Sequence, residues 1–265
     1  MRAVWRLMRD LRNRVIAEMV TTSPEMMLAR SFQADLLRYL DEFADKGGAE
    51  VYRGLELSLR AGIDSFAEPL ISLGYMIDIM PDPAMLNTLQ GYSADLVRGI
   101  TEDMRKAINA QVRLAALGQL PPLTAMQNIT TQFGLLDMHV GREVTKGVGY
   151  RAERILRTEL NRQFNIAHYT KQIESPIPDL RKRWVATGDS RTRPAHLRAH
   201  QRYGLNPIPV NEPFIVGGEA LMYPMDPSGS PENTINCRCR EVTIVPEVGV
   251  LASPLDARIA DLLVA

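Results

Sequence analysis

The sequence is poor in cysteine, in aromatic residues and in net charge. Two of its 265 residues are cysteine, 6% are aromatic, and 31 basic residues balance 31 acidic ones. Two cysteines cannot build the disulfide scaffold of a small secreted domain, which favours an intracellular assembly compartment. The zero net charge and the few aromatics weigh against a stand-alone nucleic-acid-binding module, so any basic surface must be local.

Long apolar runs are also missing. The best candidate for a membrane span, residues 70–80, contains Asp78 and directly follows Pro69. The N-terminal segment, 1–15, holds five arginines and no continuous apolar core, so it does not have the character of a secretory signal. The chain does contain 45% hydrophobic residues, enough to bury the core of one large domain or two small ones.

Apolar residues recur at helical spacing through about the first 175 residues. The first stripe begins at Val4, and a second helix is expected to run from Ser23-Pro24 to a stop at Gly47-Gly48. Asp82-Pro83 is a typical helix start, because aspartate caps a helix and proline fits its first turn. The further predicted helices cover residues 49–61, 83–117, 123–133 and the long segment that Pro176 and Pro178 close.

The residue composition changes after Pro178, where prolines and glycines separate short β-like runs. Strands are predicted over 181–187 and 239–245, with a weaker one over 213–218. We therefore predict an α+β protein with a mainly helical N-terminal part and a small, loop-rich α/β C-terminal domain. The predicted boundaries give a helical region for partner contacts over 1–150, the C-terminal domain over 151–248, and a helical tail over 249–265.

The two cysteines, Cys237 and Cys239, stand one residue apart at the start of a predicted strand. Residues i and i+2 of a strand point to the same face, with Cβ atoms roughly 6–7 Å apart. A disulfide requires a Cβ separation of roughly 4 Å, so it would need a local bend. A shared metal ion is the easier arrangement, because each thiolate can lean inward.

Two histidines offer further metal ligands. Pro194 suits the first turn of a short helix, which places His196 and His200 on one face at i and i+4. With the cysteines they form a possible tetrahedral zinc set that would staple the small domain. A catalytic zinc would have three protein ligands and an open position, and the pattern leaves that count open. In the alternative interpretation the cysteines are small buried apolar residues and the histidine spacing is chance.

Three segments share the order and spacing of one family over about ninety residues. They are "RILRTELNRQFNIAH" (154–168), "RWVATGDSRTRPAHLRAH" (183–200) and "YPMDPSGSPENTINCRC" (223–239). Together they resemble the phage Mu F-like head morphogenesis family, the minor head proteins of tailed phages. Family members vary cysteine and histidine at these turns, which resembles a varying metal site. The resemblance places His196, Cys237 and Cys239 on ligand positions, and it places Arg193, which cannot bind a metal, on another. His200, which is not on a motif position of the family, or Asp189 is then the candidate fourth ligand.

The resemblance implies a non-enzymatic virion protein. Such proteins are present in few copies, bind the portal protein or major capsid protein, and act in head assembly and in packaging or delivery of DNA. They would be found in the virion head and, during assembly, in the host cytoplasm. The alternative is a zinc-dependent hydrolase or nuclease, or a toxin-like effector. A nuclease needs a general base, for which His200 or Asp189 could serve, and residues 250–265 are too few for a toxin domain.

The remaining motif residues are expected to hold the fold together. Trp184 should be core, and Asp189 should cap its turn through backbone N–H groups while pairing with Arg191 or Arg193. We expect Asn236 to fix the turn that leads into the cysteines. The helix residues that should reach toward the small domain are Arg157 and Glu159.

The arginine-rich first helix is the best candidate for a partner surface. Its arginines could neutralise DNA phosphates or contact an acidic portal or capsid surface. In the alternative interpretation they form an ordinary solvated helix face. The residues of this candidate surface are Arg2, Arg6, Arg9 and Arg12.

Overall fold

The computed structural model describes residues 1–133, 147–246 and 249–250. Within these ranges the chain has seven α-helices and a short 3₁₀ helix, Pro24–Leu28. The α-helices are α1 (Arg2–Thr21), α2 (Arg30–Ser72), α3 (Pro83–Ala116), α4 (Pro122–Phe133), α5 (Val148–Glu174), α6 (Pro194–Leu205) and α7 (Pro231–Thr234).

Six short strands follow α5 and form two antiparallel sheets. The larger sheet has the order β2-β1-β5-β6, and the smaller one is the β3-β4 hairpin. The hairpin turns at Gly217 and Gly218, whose φ angles of +61° and +87° suit the two-residue turn that glycine favours. The strands are β1 (Arg181–Val185), β2 (Ile208–Pro209), β3 (Phe214–Val216), β4 (Glu219–Leu221), β5 (Arg240–Val245) and β6 (Gly249–Val250). The α+β prediction is confirmed.

The chain divides into two compact units. The first comprises Met1–Gly54 and Asn87–Leu156, and the second comprises Leu55–Leu86 and Arg157–Ala265. The predicted division at residue 150 stays a prediction. The predicted helical tail over 249–265 is wrong at its start, because residues 249–250 form β6, and residues 251–265 lie outside the described residues.

The first unit is built from amphipathic helices. The apolar stripe of α1 that begins at Val4 is buried through Met19, as its helical spacing predicts, and α1 packs against α4. On α3 the same spacing buries Val97, Ile100 and Met104. These stripes carry the core of the unit, because a helix gains most of its stability by burying one apolar face.

The predicted helix stop at Gly47-Gly48 is wrong, because α2 continues through both glycines. Within the first unit, a Cβ on Gly47 would lie 3.3 Å from the side chain of Val97 on α3. Glycine at this position therefore serves close packing between two helices rather than helix termination. A stop signal read from sequence alone does not distinguish these two uses.

In the second unit, α5 packs against the C-terminal half of α2 and against the larger sheet. A Cβ on Gly62 would fall on the backbone oxygen of Phe164 in α5. On the sheet side, the face of β5 that includes Glu241, Thr243 and Val245 is buried. Trp184 in β1 is fully buried, as predicted.

Two glycine-to-alanine substitutions in α2 should have opposite effects on stability. Gly62→Ala forces the backbone of Phe164 to move, and we expect it to lower the free energy of unfolding by roughly 1–3 kcal/mol. Gly48→Ala places its methyl group in open space and should raise that free energy by about 1 kcal/mol, because alanine is the better helix former. Urea unfolding of the two variants measures both values, and equal changes would contradict the packing argument.

Candidate metal centre

Three predicted ligands come together at one buried point of the second unit. The donor atoms of His196, Cys237 and Cys239 all lie within 4.8 Å of one another. The Nδ1 atom of His196 is 3.4 Å from the Sγ of Cys237 and 3.3 Å from the Sγ of Cys239. All three residues are buried, and both thiols are free. A histidine from α6 and two cysteines that precede β5 thus share one site.

The cysteines reach this point by a turn, not along a strand. β5 begins at Arg240, so the prediction that Cys237 and Cys239 occupy the strand is wrong. Asn236 has a φ of +59° and turns the chain before Cys237, which agrees with its expected role. The backbone N–H of Cys239 donates to the Sγ of Cys237 over 3.4 Å. The turn thereby brings both sulfurs to the same side, as the prediction required.

The donor distances fit a tetrahedral metal. Zinc–sulfur bonds of about 2.3 Å and zinc–nitrogen bonds of about 2.05 Å at tetrahedral angles separate nitrogen from sulfur by about 3.6 Å. The observed separations of 3.3 and 3.4 Å lie within about 0.3 Å of that value. Two thiolates and one imidazole are also a ligand set that zinc prefers. The residues present therefore fit a metal ion.

Asn233 in α7 sets the tautomer of His196. The Nδ2 of Asn233 donates to the backbone oxygen of Val216 at 3.2 Å and to the carboxylate of Glu219 at 2.8 Å. Its Oδ1 lies 3.2 Å from the Nε2 of His196 and must accept, so Nε2 carries the proton. The lone pair of the imidazole is then on Nδ1, which faces the two sulfurs. Metal-binding histidines use the same arrangement, in which the ring nitrogen away from the metal donates to an oxygen of the protein.

Two buried asparagines on α5 hold the cysteine turn from the other side. The Nδ2 of Asn161 donates to the backbone oxygens of Cys237 and Cys239 at 3.0 and 3.4 Å. The Nδ2 of Asn165 donates to the oxygen of Cys239 at 3.2 Å, and the Oγ1 of Thr158 accepts the N–H of Asn236. Sequence reasoning did not assign these roles. The available signal was a polar pair at i and i+4 on the apolar face of α5.

Asp189, the other candidate for a fourth ligand, lies outside the three-residue cluster, and its main partner differs from the expected ones. Its two carboxylate oxygens accept a pair of hydrogen bonds, a fork, from the guanidinium of Arg238 at 2.6 and 2.7 Å. As predicted, it also accepts the backbone N–H of Arg191, and it contacts the Arg191 side chain at 3.5 Å. Arg193, the other expected partner, donates to the backbone oxygen of Ile235. The fork from Arg238 lowers the pKa of Asp189 well below its usual value.

His200, the fourth predicted ligand, lies outside the three-residue cluster. Its Nδ1 is 3.3 Å from the backbone oxygen of Trp184 and 3.4 Å from the backbone nitrogen of Ala186 in the segment after β1. Trp184 packs edge-on against the ring of His196. His200 therefore contributes to the packing of α6 on the sheet, and among the described residues the metal-competent group has three members.

The remaining predicted residues occupy separate places. Glu159 is buried on α5 and pairs with Arg162 at 2.7 Å, and Arg162 donates to the backbone oxygen of Met225. Glu159 was expected to contact the strand-rich part of the unit, and it does so indirectly, through Arg162. Arg157 is half-buried on the same helix. On α1, Arg2, Arg6 and Arg9 are exposed, and Arg12 is half-buried.

The two thiols are electrostatically unequal. The hydrogen bond from Cys239 lowers the pKa of Cys237, and the same bond raises the pKa of Cys239. One proton shared between two adjacent sulfurs explains the opposite directions. Negative charge is thus favoured on the sulfur of Cys237, and the thiolate is the form of cysteine that binds a metal.

Asn233→Ala tests the positioning of His196. Without Asn233 the imidazole loses the acceptor that keeps Nδ1 unprotonated, and we expect metal affinity to fall about 10- to 100-fold. Competition against a coloured chelator measures the affinity. Asn211→Ala, an exposed asparagine of the same unit, is the control and should leave it unchanged. An affinity that Asn233→Ala leaves unaltered would contradict the assigned tautomer.

Comparison with known proteins places these elements in a family. None of the described helices combines the length and apolar character that crossing a bilayer requires. Searches of curated proteins and of solved structures return no match. The model of the family described as "Phage Mu protein F like protein" matches residues 98–242, a range that includes all three cluster residues. Since the match covers more than half of the chain, this protein belongs to the phage Mu F-like family of head morphogenesis proteins.

Proposed function

We propose that this protein is a minor structural protein of a tailed-phage head, bound at the portal or the capsid interior. It would act in head assembly and in packaging or delivery of DNA. The observation that carries the proposal is the family match over 98–242, because the family is one of phage head morphogenesis. Association with the virion follows from the same membership.

We further propose that the metal is zinc and that its role is structural. The strand-rich part of the second unit has short strands and is joined at one point by His196, Cys237 and Cys239. A metal bound there would tie α6 to the turn that precedes β5. Small, loop-rich folds gain much of their stability from such a link.

The positions of His200 and Asp189 favour a non-enzymatic role over a nuclease or hydrolase. Either side chain could have served as the general base that activates a metal-bound water. Instead, His200 contacts the backbone of Trp184 and Ala186, and Asp189 is paired with Arg238. Both groups are engaged in holding local structure, which supports the structural proposal.

The exposed arginines of α1 are the proposed contact for packaged DNA or for an acidic portal or capsid surface. Arg6 and Arg9 are both exposed. Replacing both by alanine should weaken binding to duplex DNA or to the portal protein, and should reduce the salt dependence of that binding. The matched control is Arg98→Ala with Arg113→Ala, which removes two exposed arginines from α3 in the same unit. Equal binding by the two double variants across a salt series would contradict the assignment.

Quantitative mass spectrometry of mature particles tests the proposed function. Heads from the source phage are digested, and the amount of this protein is referred to the portal protein. Since minor head proteins are present in few copies, we expect a few to about a dozen copies per particle. Absence from purified heads would overturn the structural role, and nuclease and hydrolase assays would then be the next measurements.

A further inference from the structure

A small cavity adjoins all three metal-competent residues. It has a volume of about 20 Å³, and its lining includes His196, Cys237 and Cys239. The rest of the lining is polar or charged: Thr187, Arg191, Thr192, Arg193, Asn236 and Arg238. The side chain of Arg191 is 69% exposed, so this part of the lining belongs to the protein surface.

The size of the cavity limits what can enter it. About one water-sized sphere needs roughly 10–15 Å³ of such volume, so about 20 Å³ admits a single water-sized group. The space next to the three donors therefore suits one small ligand, or one terminal atom of a larger molecule held outside.

The charges around the cavity favour an anion. Three arginines line it, Arg191, Arg193 and Arg238. The single negative charge of Asp189, which accepts two hydrogen bonds from Arg238 and contacts Arg191 at 3.5 Å, offsets one of these three positive charges. The cavity also adjoins the start of α6, where Arg193 occupies the cap position without a side-chain capping bond. A helix N-terminus carries partial positive charge and exposes backbone N–H groups. Two thiolates, one neutral imidazole and a divalent ion add no net charge of their own.

We propose that the site binds a small oxygen anion beside the three protein ligands, with one oxygen completing the coordination of the metal. The inference rests on the metal site of the proposed function and adds to it an exchangeable ligand drawn from solution. Arg191 and Arg193 are its attracting groups. The ligand class is an oxygen donor such as a carboxylate or a phosphate, of which one oxygen enters the cavity.

The test uses the full chain loaded with Co²⁺, which replaces zinc and reports its ligands by colour. A thiolate-to-cobalt charge-transfer band shows that the cysteines bind the metal. Acetate and inorganic phosphate are then titrated separately, with perchlorate at equal ionic strength as the weakly coordinating control. We expect a saturable change in the visible d–d bands with acetate or with phosphate, and none with perchlorate. The two titrations distinguish a carboxylate from a phosphate as the preferred ligand.

A pair of variants connects the response to the cavity. Arg191→Ala removes one positive charge at the cavity and should weaken the apparent anion affinity about two- to fivefold, the range expected for an exposed charge. Arg198→Ala removes an exposed arginine of α6 that does not line the cavity and should leave the affinity unchanged.

The outcomes separate the two proposals. A missing charge-transfer band would overturn the metal site itself. A normal charge-transfer band with d–d bands that neither anion changes would overturn the exchangeable ligand and leave the metal site standing. Equal loss of affinity in Arg191→Ala and Arg198→Ala would show that the anion binds elsewhere on the surface, which also overturns the inference.

Discussion

His196→Ala is expected to abolish stoichiometric zinc binding, whereas His200→Ala should retain about one zinc per chain. The two histidines lie on the same helix, four residues apart, but only His196 directs a ring nitrogen to the sulfurs of Cys237 and Cys239. Elemental analysis of protein purified without a metal-affinity tag measures the zinc content. Because the two substitutions remove the same type of side chain from one helix, His200→Ala controls for the loss of a histidine from α6.

The same pair should differ strongly in thermal stability. A ligand present at about 1,000 times its dissociation constant stabilises the folded state by about 4 kcal/mol. For a chain of this size that corresponds to a shift in Tm of roughly 10 °C. We therefore expect chelator to lower the Tm of the wild type and of His200→Ala by about this amount, and to leave His196→Ala unchanged.

Thiol reactivity gives an independent reading of the same site. Cys237 and Cys239 should react slowly with an alkylating reagent until chelator is added, and Cys237→Ser should lose zinc as His196→Ala does. Zinc loss in His200→Ala, or zinc retention in His196→Ala, would contradict the three-ligand site. Freely reactive thiols without any bound metal would leave the cysteines as packing residues.

The sequence predicted the site's chemistry better than its backbone. The types and spacing of Cys237, Cys239 and His196 were enough to indicate a shared metal. The strand assignment failed because alternation over 239–245 does not reveal that the chain turns at Asn236 before β5 begins. Helical spacing placed His200 on the same face as His196. It could not show that the backbone of β1 lies within reach of that ring.

Buried polar residues were the least predictable part of the fold. Lys182 is fully buried, with its Nζ donating to the backbone oxygen of Met222 and lying over the ring of Tyr169. Burial lowers its pKa to about 8, and burial raises the pKa of the neighbouring Glu241 to about 8. Lysine and glutamate are almost never fully buried without a partner. Sequence alone therefore favoured exposure, and the long-range contacts that reverse it are not encoded in local periodicity.

The substitution His168→Gln should make the free energy of unfolding depend less on pH below about pH 6.5. His168 is buried between Phe66 and Phe164, and burial, reinforced by the charge of Arg240, lowers its pKa to about 3. An unfolded histidine titrates near 6.5. Between these two pKa values the unfolded chain therefore binds a proton on this histidine, whereas the folded chain does not. Stability is fully present above pH 6.5 and is lost as the pH falls from 6.5 toward about 3.

The hydrogen bonds of His168 explain why the neutral ring is favoured. Ser65 donates its hydroxyl to the backbone oxygen of Gly62, so its Oγ accepts the proton of His168 Nδ1 at 2.6 Å. The Nε2 atom is 3.0 Å from the Oγ1 of Thr243 and accepts from that hydroxyl. A second proton on Nε2 would oppose the donor of Thr243 in a site closed to water. The neutral imidazole therefore has both nitrogens satisfied, and the charged form does not.

The loss in the wild type should reach about 1.4 kcal/mol per pH unit, or about 3 kcal/mol between pH 6.5 and pH 4. Urea unfolding at a series of pH values measures it, with chelator present so that metal release does not contribute. His168→Gln should lower the free energy of unfolding at pH 7, because it alters the hydrogen bonds of the site. Between pH 6.5 and pH 4, however, that free energy should fall by about 3 kcal/mol less than it does in the wild type. Asn211→Ala, at an exposed residue of the same unit that does not titrate, should keep the wild-type slope. Parallel curves for the wild type and His168→Gln would show that His168 accepts a proton without unfolding, which would contradict its placement in a closed, fully satisfied network.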